Sequence, residues 1–198
     1  SATSQPAAHS SDIPEPNTAA NVQHNPAEVA VGGSTSAASH PAARHCAPVE
    51  PESASNMQRL IAEFPFKGYI EKVEHRGITL RQLNKVVAFA AAACEAKAWT
   101  DTAPKEYSKT SGHTLQMSYL NLYHTNTWII MPATKEKNCS MVELVFTNAK
   151  QQIAKWFVSH WWGEPVQESL ACLREHAKQR ARSEDEAYWI CAHANRQH

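Results

Sequence analysis

Bulky apolar residues are distributed very unevenly along this chain of 198 residues. Residues 1–56 contain no Phe, Trp, Tyr or Leu, whereas all six tryptophans lie beyond residue 98 and all five phenylalanines beyond residue 63. The first segment consists mainly of Ala, Ser, Pro, Asn, Glu and His, which cannot bury enough apolar surface to offset the entropy lost on ordering. We therefore predict a disordered arm over residues 1–56 and a folded domain over residues 57–198.

The clearest helix of the folded part is predicted over residues 80–97. Thr79 is a favourable N-cap, and Gln82, three residues later, completes the pattern of a capping box. The apolar positions that follow recur at helical spacing and define one buried face, formed by Leu83, Val86, Val87, Ala90 and Cys94. This helix is expected to pack on the rest of the domain and to carry no chemistry.

The middle of the domain gives a weaker pattern. The segment "TNTWIIM" is rich in β-forming residues and is bounded by Pro132, so we predict a short strand or a buried extended segment there. The segment "CSMVELVF" has no decisive period and fits either a strand or a helical turn. Tyr119, Tyr123 and Trp128 are interpreted as aromatic residues of the core and its rim.

The last part of the chain predicts a strand, a helix and a second strand. "WFVS" and "YWICAHA" are β runs, and between them "VQESLACLREHAKQRA" is amphipathic, with Val166, Leu170, Leu173 and Ala177 on one face. Pro165 suits the first turn of this helix. A strand, helix and strand within so short a span indicate a βαβ unit with parallel strands and a right-handed crossover. The predicted fold class is therefore α/β.

Composition excludes several classes of partner. Lys plus Arg and Asp plus Glu both number 19, so the chain has no net basic charge that would favour nucleic acid. No apolar run approaches the length needed to span a bilayer, and we expect a cytoplasmic protein. The five cysteines show no CxxC spacing, and His40, His45 and Cys46 lie in the predicted arm, so we expect no metal site.

The candidate site is the connection between the predicted strand and helix, which holds Ser159, His160, Trp161, Trp162, Gly163 and Glu164. Ligands of open α/β sheets bind at the carboxyl ends of the strands, and the N–H groups at a helix N-terminus favour phosphate. The two tryptophans fit either a platform stacked on a base or nicotinamide, or a plug at the end of the sheet. His160 is interpreted as a residue whose ring forms a hydrogen bond within the protein. Glu164 fits a ligand for ribose hydroxyls, an acid–base group or a favourable charge on the helix dipole.

No catalytic residue is assigned from the sequence. The chain has no G-x-S-x-G, Walker A or G-x-G-x-x-G motif. Ser159 and His160 are adjacent on a predicted strand end and should point to opposite faces, so they are not expected to act as a pair. Cys191 and His193 are two residues apart in the second β run, which would place both on one side of a strand as a minor alternative dyad.

The end of the chain resembles the opening of a heterokaryon-incompatibility (HET) domain. Ser159, Trp162 and Gly163 in "WFVSHWWGEP" match the first HET motif, and the second is matched loosely by Tyr188, Trp189, Ile190, Asn195 and Gln197. The folded region also resembles a family of proteins from unicellular algae and other protists, in which "LNLYHTNTWIIMPAT", "CSMVEL" and "WFVSHWWGEPV" are recurrent blocks.

The HET resemblance implies a fold similar to the Toll/interleukin-1 receptor (TIR) domain, a flavodoxin-like sheet, and some TIR-like proteins assemble and cleave NAD. It implies an NAD-type nucleotide as ligand, with residues 155–198 forming the first βαβ unit. Cys191 replaces the acidic residue of the HET pattern, and the chain ends at His198, so we expect an incomplete sheet without the catalytic glutamate. The alternative is a non-enzymatic module that binds a protein partner or itself through the aromatic turn at residues 159–164.

Overall fold

The computed structural model describes residues 22–24 and 52–198, and these form helices around a small mixed sheet. The predicted α/β class is confirmed at that level. The helices are α1 (Glu52–Glu63), α2 (Leu80–Glu95), α3 (Leu122–Thr125), α4 (Met131–Thr134), α5 (Val142–Val145), α6 (Val166–Gln179) and α7 (Cys191–Ala194), and the strands are β1 (Val22–His24), β2 (Ile78–Thr79), β3 (Trp156–Val158) and β4 (Ala187–Ile190). Short 3-10 turns lie at Val73–His75 and Ala149–Gln152.

The sheet has the strand order β1-β3-β4-β2. Strands β3 and β4 are parallel, with Trp156 opposite Tyr188 and Val158 opposite Ile190, and α6 connects them. This is the predicted βαβ unit. Strands β1 and β2 pair antiparallel with β3 and β4, respectively. The sheet is therefore mixed and short, and the three strands from the folded region are extended at one edge by β1.

Two elements begin inside the segment predicted as a disordered arm. Strand β1 lies at residues 22–24, and α1 starts at Glu52 rather than after residue 56. The other residues of the predicted arm, including the His40, His45 and Cys46 group, lie outside the described residues.

Helix α2 follows its prediction closely. The Thr79 side chain accepts a hydrogen bond from the Gln82 N–H, and the Gln82 side chain accepts from the Thr79 N–H, so the capping box is formed. Four of the five predicted face residues are buried, and Val87 is half-buried. The helix ends at Glu95, two residues earlier than predicted, because Lys97 adopts the left-handed conformation with φ of 54°.

The strand or extended segment predicted for "TNTWIIM" is wrong. Residues 122–134 run through α3, a π-helical turn over Asn126–Ile130 and then α4. The Asn121 side chain caps the first turn, and Ile129 and Ile130 become fully buried. The cap and this burial outweigh the β preference of single residues, which is weak and depends on context. The Met131 N–H bonds to the Asn126 carbonyl, five residues back, just before Pro132.

The remaining differences concern short helical turns. The segment that fitted either a strand or a helix contains α5, a helical turn that is entirely buried. The second predicted β run ends at Ile190, and residues 191–194 form α7 instead. Ala192 and Ala194 favour a helix and are fully buried there. Of the three predicted core-and-rim aromatics, Tyr119 and Trp128 are half-buried and Tyr123 is exposed.

Within the described residues, no helix combines the length and the apolar character needed to cross a bilayer.

Candidate functional site

The connection from β3 to α6 is tied to the segment that precedes α3. The Leu122 N–H donates to the Trp162 carbonyl, and the Val166 N–H donates to the Leu120 carbonyl at 2.8 Å. Gly163 lies directly under the Trp161 indole, which a Cβ at this position would overlap. The glycine therefore allows the Trp161 ring to lie against the turn.

A cavity of about 440 Å³ borders this connection. It lies between α2, α6, the start of α3 and the carboxyl ends of β3 and β4, and it follows one side of α6 from Val166 to Arg180. Its walls are mainly apolar and are formed by Leu83, Val86, Val87, Leu122, Val158, Val166, Leu173 and Ile190. Its polar residues include Ser159, His160, Glu164, Ser169, His176, Arg180 and His193.

The structure divides the six predicted site residues into two groups. Ser159, His160 and Glu164 border the cavity, whereas Trp161, Trp162 and Gly163 do not. Strand β3 ends at Val158, so the alternation of a strand does not apply to the adjacent serine and histidine.

The two tryptophans occupy different environments. Trp161 is 72% exposed. Trp162 is half-buried, with its ring 5.4 Å from that of Tyr123 and its Nε1 donating to Cys191 Sγ at 3.4 Å. Trp162 therefore packs against Tyr123 and Cys191, whereas Trp161 presents an aromatic surface to solvent.

Three of the first four N–H groups of α6 already have partners within the protein. The Val166 N–H bonds to Leu120, and the N–H groups of Glu168 and Ser169 bond to the Pro165 carbonyl. The Glu164 carboxylate lies at the same place and accepts a hydrogen bond from Ser169 Oγ at 2.7 Å. A carboxylate beside occupied N–H groups is unfavourable for the phosphate that the sequence suggested here.

His193 is a buried polar residue of the cavity that the sequence did not place at the candidate site. Its side chain is buried, and no described residue offers a hydrogen-bond partner to its Nδ1. Burial lowers the pKa of His193 to about 4, and the nearby His160 acts in the same direction. The imidazole is therefore neutral near pH 7, with an unpaired nitrogen.

The minor alternative of a Cys191–His193 dyad on one side of a strand is wrong. Both residues belong to the helical turn α7, where positions two apart do not face each other. Cys191 Sγ accepts the hydrogen bond from Trp162, and His193 lies at the cavity. Among the residues that the structure describes, no three His, Cys, Asp or Glu side chains are arranged to hold a metal ion.

Acidification is expected to destabilise the protein through His193. Because the folded-state pKa of about 4 lies below the ordinary 6.5, the unfolded chain takes up this proton first. Stability is unaffected above about pH 6.5 and falls by about 3 kcal/mol by about pH 4. Burial also lowers the pKa of His124 and His176, which adds to the same trend.

Urea denaturation at several pH values measures this effect. His193→Phe should show a smaller loss of stability on acidification than the wild type, and replacement of the exposed His113 by Phe should leave the loss unchanged. Equal pH dependence in the wild type and His193→Phe would show that His193 does not remain neutral in the folded protein.

Comparison with protein-family models, with curated proteins and with solved structures returned no match for this chain.

Proposed function

We propose that residues 57–198 form a small-molecule-binding domain whose ligand is the nucleoside part of an NAD-type nucleotide. The observation that carries the proposal is the cavity at the carboxyl ends of β3 and β4. Its volume lies in the range of about 300–1,000 Å³ typical of ligand pockets. One end of the cavity lies at the carboxyl ends of the strands, where open α/β sheets bind ligands.

The lining of the cavity fits a flat, largely apolar ring that also carries polar groups. Side chains of α2, including Leu83, Val86 and Val87, supply an apolar wall, while His160, Glu164 and His193 supply polar atoms at one end. Ligand pockets typically combine apolar walls with a few placed polar groups. The resemblance to HET and TIR-like domains is the second support for this ligand class.

Charge favours the nucleoside over the phosphate inside the cavity. Arg180 is the one Lys or Arg among the described residues that line it. At about 1.5 Å per residue along α6, Arg180 lies roughly 21 Å from Val166. A phosphate is therefore expected near the Arg180 end or in solvent. No residue is assigned a catalytic role.

Calorimetric titration of the full chain with adenosine, AMP and NAD tests the proposal. We expect saturable binding of adenosine and NAD. Val87→Trp, at a half-buried position of the wall, should fill the cavity and weaken binding at least tenfold, or about 1.4 kcal/mol. Trp161→Ala is the matched control, because this side chain is exposed and does not line the cavity.

Melting temperatures of both variants establish that they are folded. The proposal fails if none of the three ligands binds, or if folded Val87→Trp binds them as well as the wild type does.

The exposed aromatic surface favours a second candidate, a non-enzymatic interaction module. Trp161, within the turn at residues 159–164, is 72% exposed, and Tyr123, whose ring packs on Trp162 of that turn, is 56% exposed. Large exposed aromatic side chains are typical of protein-binding surfaces. The titration separates the two candidates, because an interaction module has no reason to bind adenosine or to respond to Val87→Trp.

A further inference from the structure

The polar end of the cavity offers hydrogen-bond acceptors. His160 Nδ1 lies 3.3 Å from the Val158 carbonyl oxygen. A carbonyl only accepts, so Nδ1 must carry the proton in this contact. In the neutral ring, Nε2 is then a bare lone pair. This Nε2 is buried and has no hydrogen-bond partner among the described residues.

His193 adds a second unpaired nitrogen to the same end. Its side chain is only 2% exposed, it borders the cavity, and its Nδ1 has no partner in the described part of the chain. A buried polar atom without a partner costs about 1–3 kcal/mol. Both nitrogens are shielded from water and have no partner among the described residues, and a ligand in the cavity can pair with them once the rings turn toward it.

Glu164 is the third acceptor. Its Oε2 accepts from Ser169 Oγ, which leaves Oε1 able to accept from a group in the cavity. An ionised carboxylate only accepts, and hydrogen bonds to it are stronger than those between neutral groups. Because no Lys or Arg lines this end, an anion placed here would meet the Glu164 charge without compensation.

We infer that His160, His193 and Glu164 form a subsite for the hydroxyl groups of a sugar-like ring, such as the ribose of a nucleoside. The ligand hydroxyls donate to His160 Nε2 and to the Glu164 carboxylate, and His193 Nδ1 pairs with a further polar atom of the same ring. The subsite selects hydroxyl donors and rejects phosphate. This inference rests on the proposed function and adds the residues that determine specificity.

Binding of adenosine and of 2′,3′-dideoxyadenosine to the wild-type protein, measured by calorimetry, tests the subsite without any substitution. The dideoxy compound keeps the base and loses both ribose hydroxyls. Because the buried acceptors are left unpaired, we expect it to bind at least tenfold more weakly than adenosine. AMP is expected to bind no more tightly than adenosine.

His160→Phe tests the role of the acceptor directly. This variant should bind adenosine more weakly and show a smaller preference for adenosine over the dideoxy compound, because one hydroxyl acceptor is lost while the Glu164 carboxylate remains. His113→Phe is the matched control, since it makes the same replacement at an exposed histidine that does not border the cavity. The control should retain the wild-type ratio.

The outcomes distinguish the inference from the proposed function. Equal affinity of the wild type for adenosine and the dideoxy compound overturns the subsite and leaves nucleoside binding intact. AMP binding tenfold tighter than adenosine also overturns it, since it would place a phosphate among acceptors. Absence of binding by all of these ligands overturns both.

Discussion

Glu143→Gln is expected to lower the free energy of unfolding by about 3–5 kcal/mol, the loss typical when one member of a buried ion pair is removed. Glu143 is fully buried in α5. Its carboxylate accepts hydrogen bonds from the Ile70 N–H at 2.7 Å and the Ser140 N–H at 2.6 Å. Arg196 donates at 3.0 Å, and Arg76 Nε lies 3.7 Å away.

These contacts join the segment before β2, α5 and the end of the chain at one point. Burial by itself would raise the pKa of Glu143, but the hydrogen bonds from Arg196, Ser140 and Ile70, with the charge of Arg76, lower it overall. The folded protein therefore holds an ionised carboxylate in its interior. The glutamine side chain would place its NH2 group against N–H groups that donate to the carboxylate in the wild type. It would also leave the guanidinium of Arg76 without its counter-charge.

Urea denaturation of Glu143→Gln beside Glu136→Gln checks this expectation. Glu136 is exposed and pairs with Lys137, so its replacement should change stability by less than about 1 kcal/mol. Similar effects of the two substitutions would show that the buried network does not stabilise the fold as described.

Asp101→Ala is expected to lower the free energy of unfolding by about 2–4 kcal/mol and to loosen the loop that follows α2. Asp101 is buried and accepts hydrogen bonds from the Ala103 N–H at 2.9 Å and the hydroxyls of Ser108 and Thr110 at 2.5 and 2.7 Å. Burial acts to raise the pKa of Asp101, but these hydrogen bonds outweigh it and lower the pKa.

Hydrogen exchange measured with the melting temperature separates local from global loss. The amides of Ala103 and Thr110 should exchange faster in Asp101→Ala, since their acceptors depend on this carboxylate. Glu106→Ala, an exposed position in the same loop, is the control. Unchanged protection of both amides in Asp101→Ala would contradict the expected role.

Sequence periodicity predicted the elements whose pattern is long and one-sided. Helices α2 and α6 and strands β3 and β4 follow from repeated apolar spacing and, for α2, from the Thr79–Gln82 capping box. Periodicity failed where the elements have only four or five residues, too few to show a regular apolar spacing. In the π-helical turn over residues 126–130 and in α7, packing and capping outweigh single-residue preferences.

The candidate site was predictable only in part for the same reason. The strand–turn–helix pattern identified Ser159, His160 and Glu164, because ligand sites follow the carboxyl ends of strands. It gave no sign that His193 would join them, since a predicted strand over α7 placed that side chain beside Cys191. The part of the cavity lining that α2 supplies was not predicted either, because packing between α2 and α6 depends on the tertiary fold rather than on any local pattern.

A crystal structure of the protein grown with adenosine tests the central claim most directly. We predict density for the nucleoside between α6 and the carboxyl ends of β3 and β4, with a ribose oxygen about 2.7–3.2 Å from His160 Nε2. Adenosine bound elsewhere, or a cavity filled by the protein's own side chains at saturating adenosine, would contradict the claim that this cavity is the functional site.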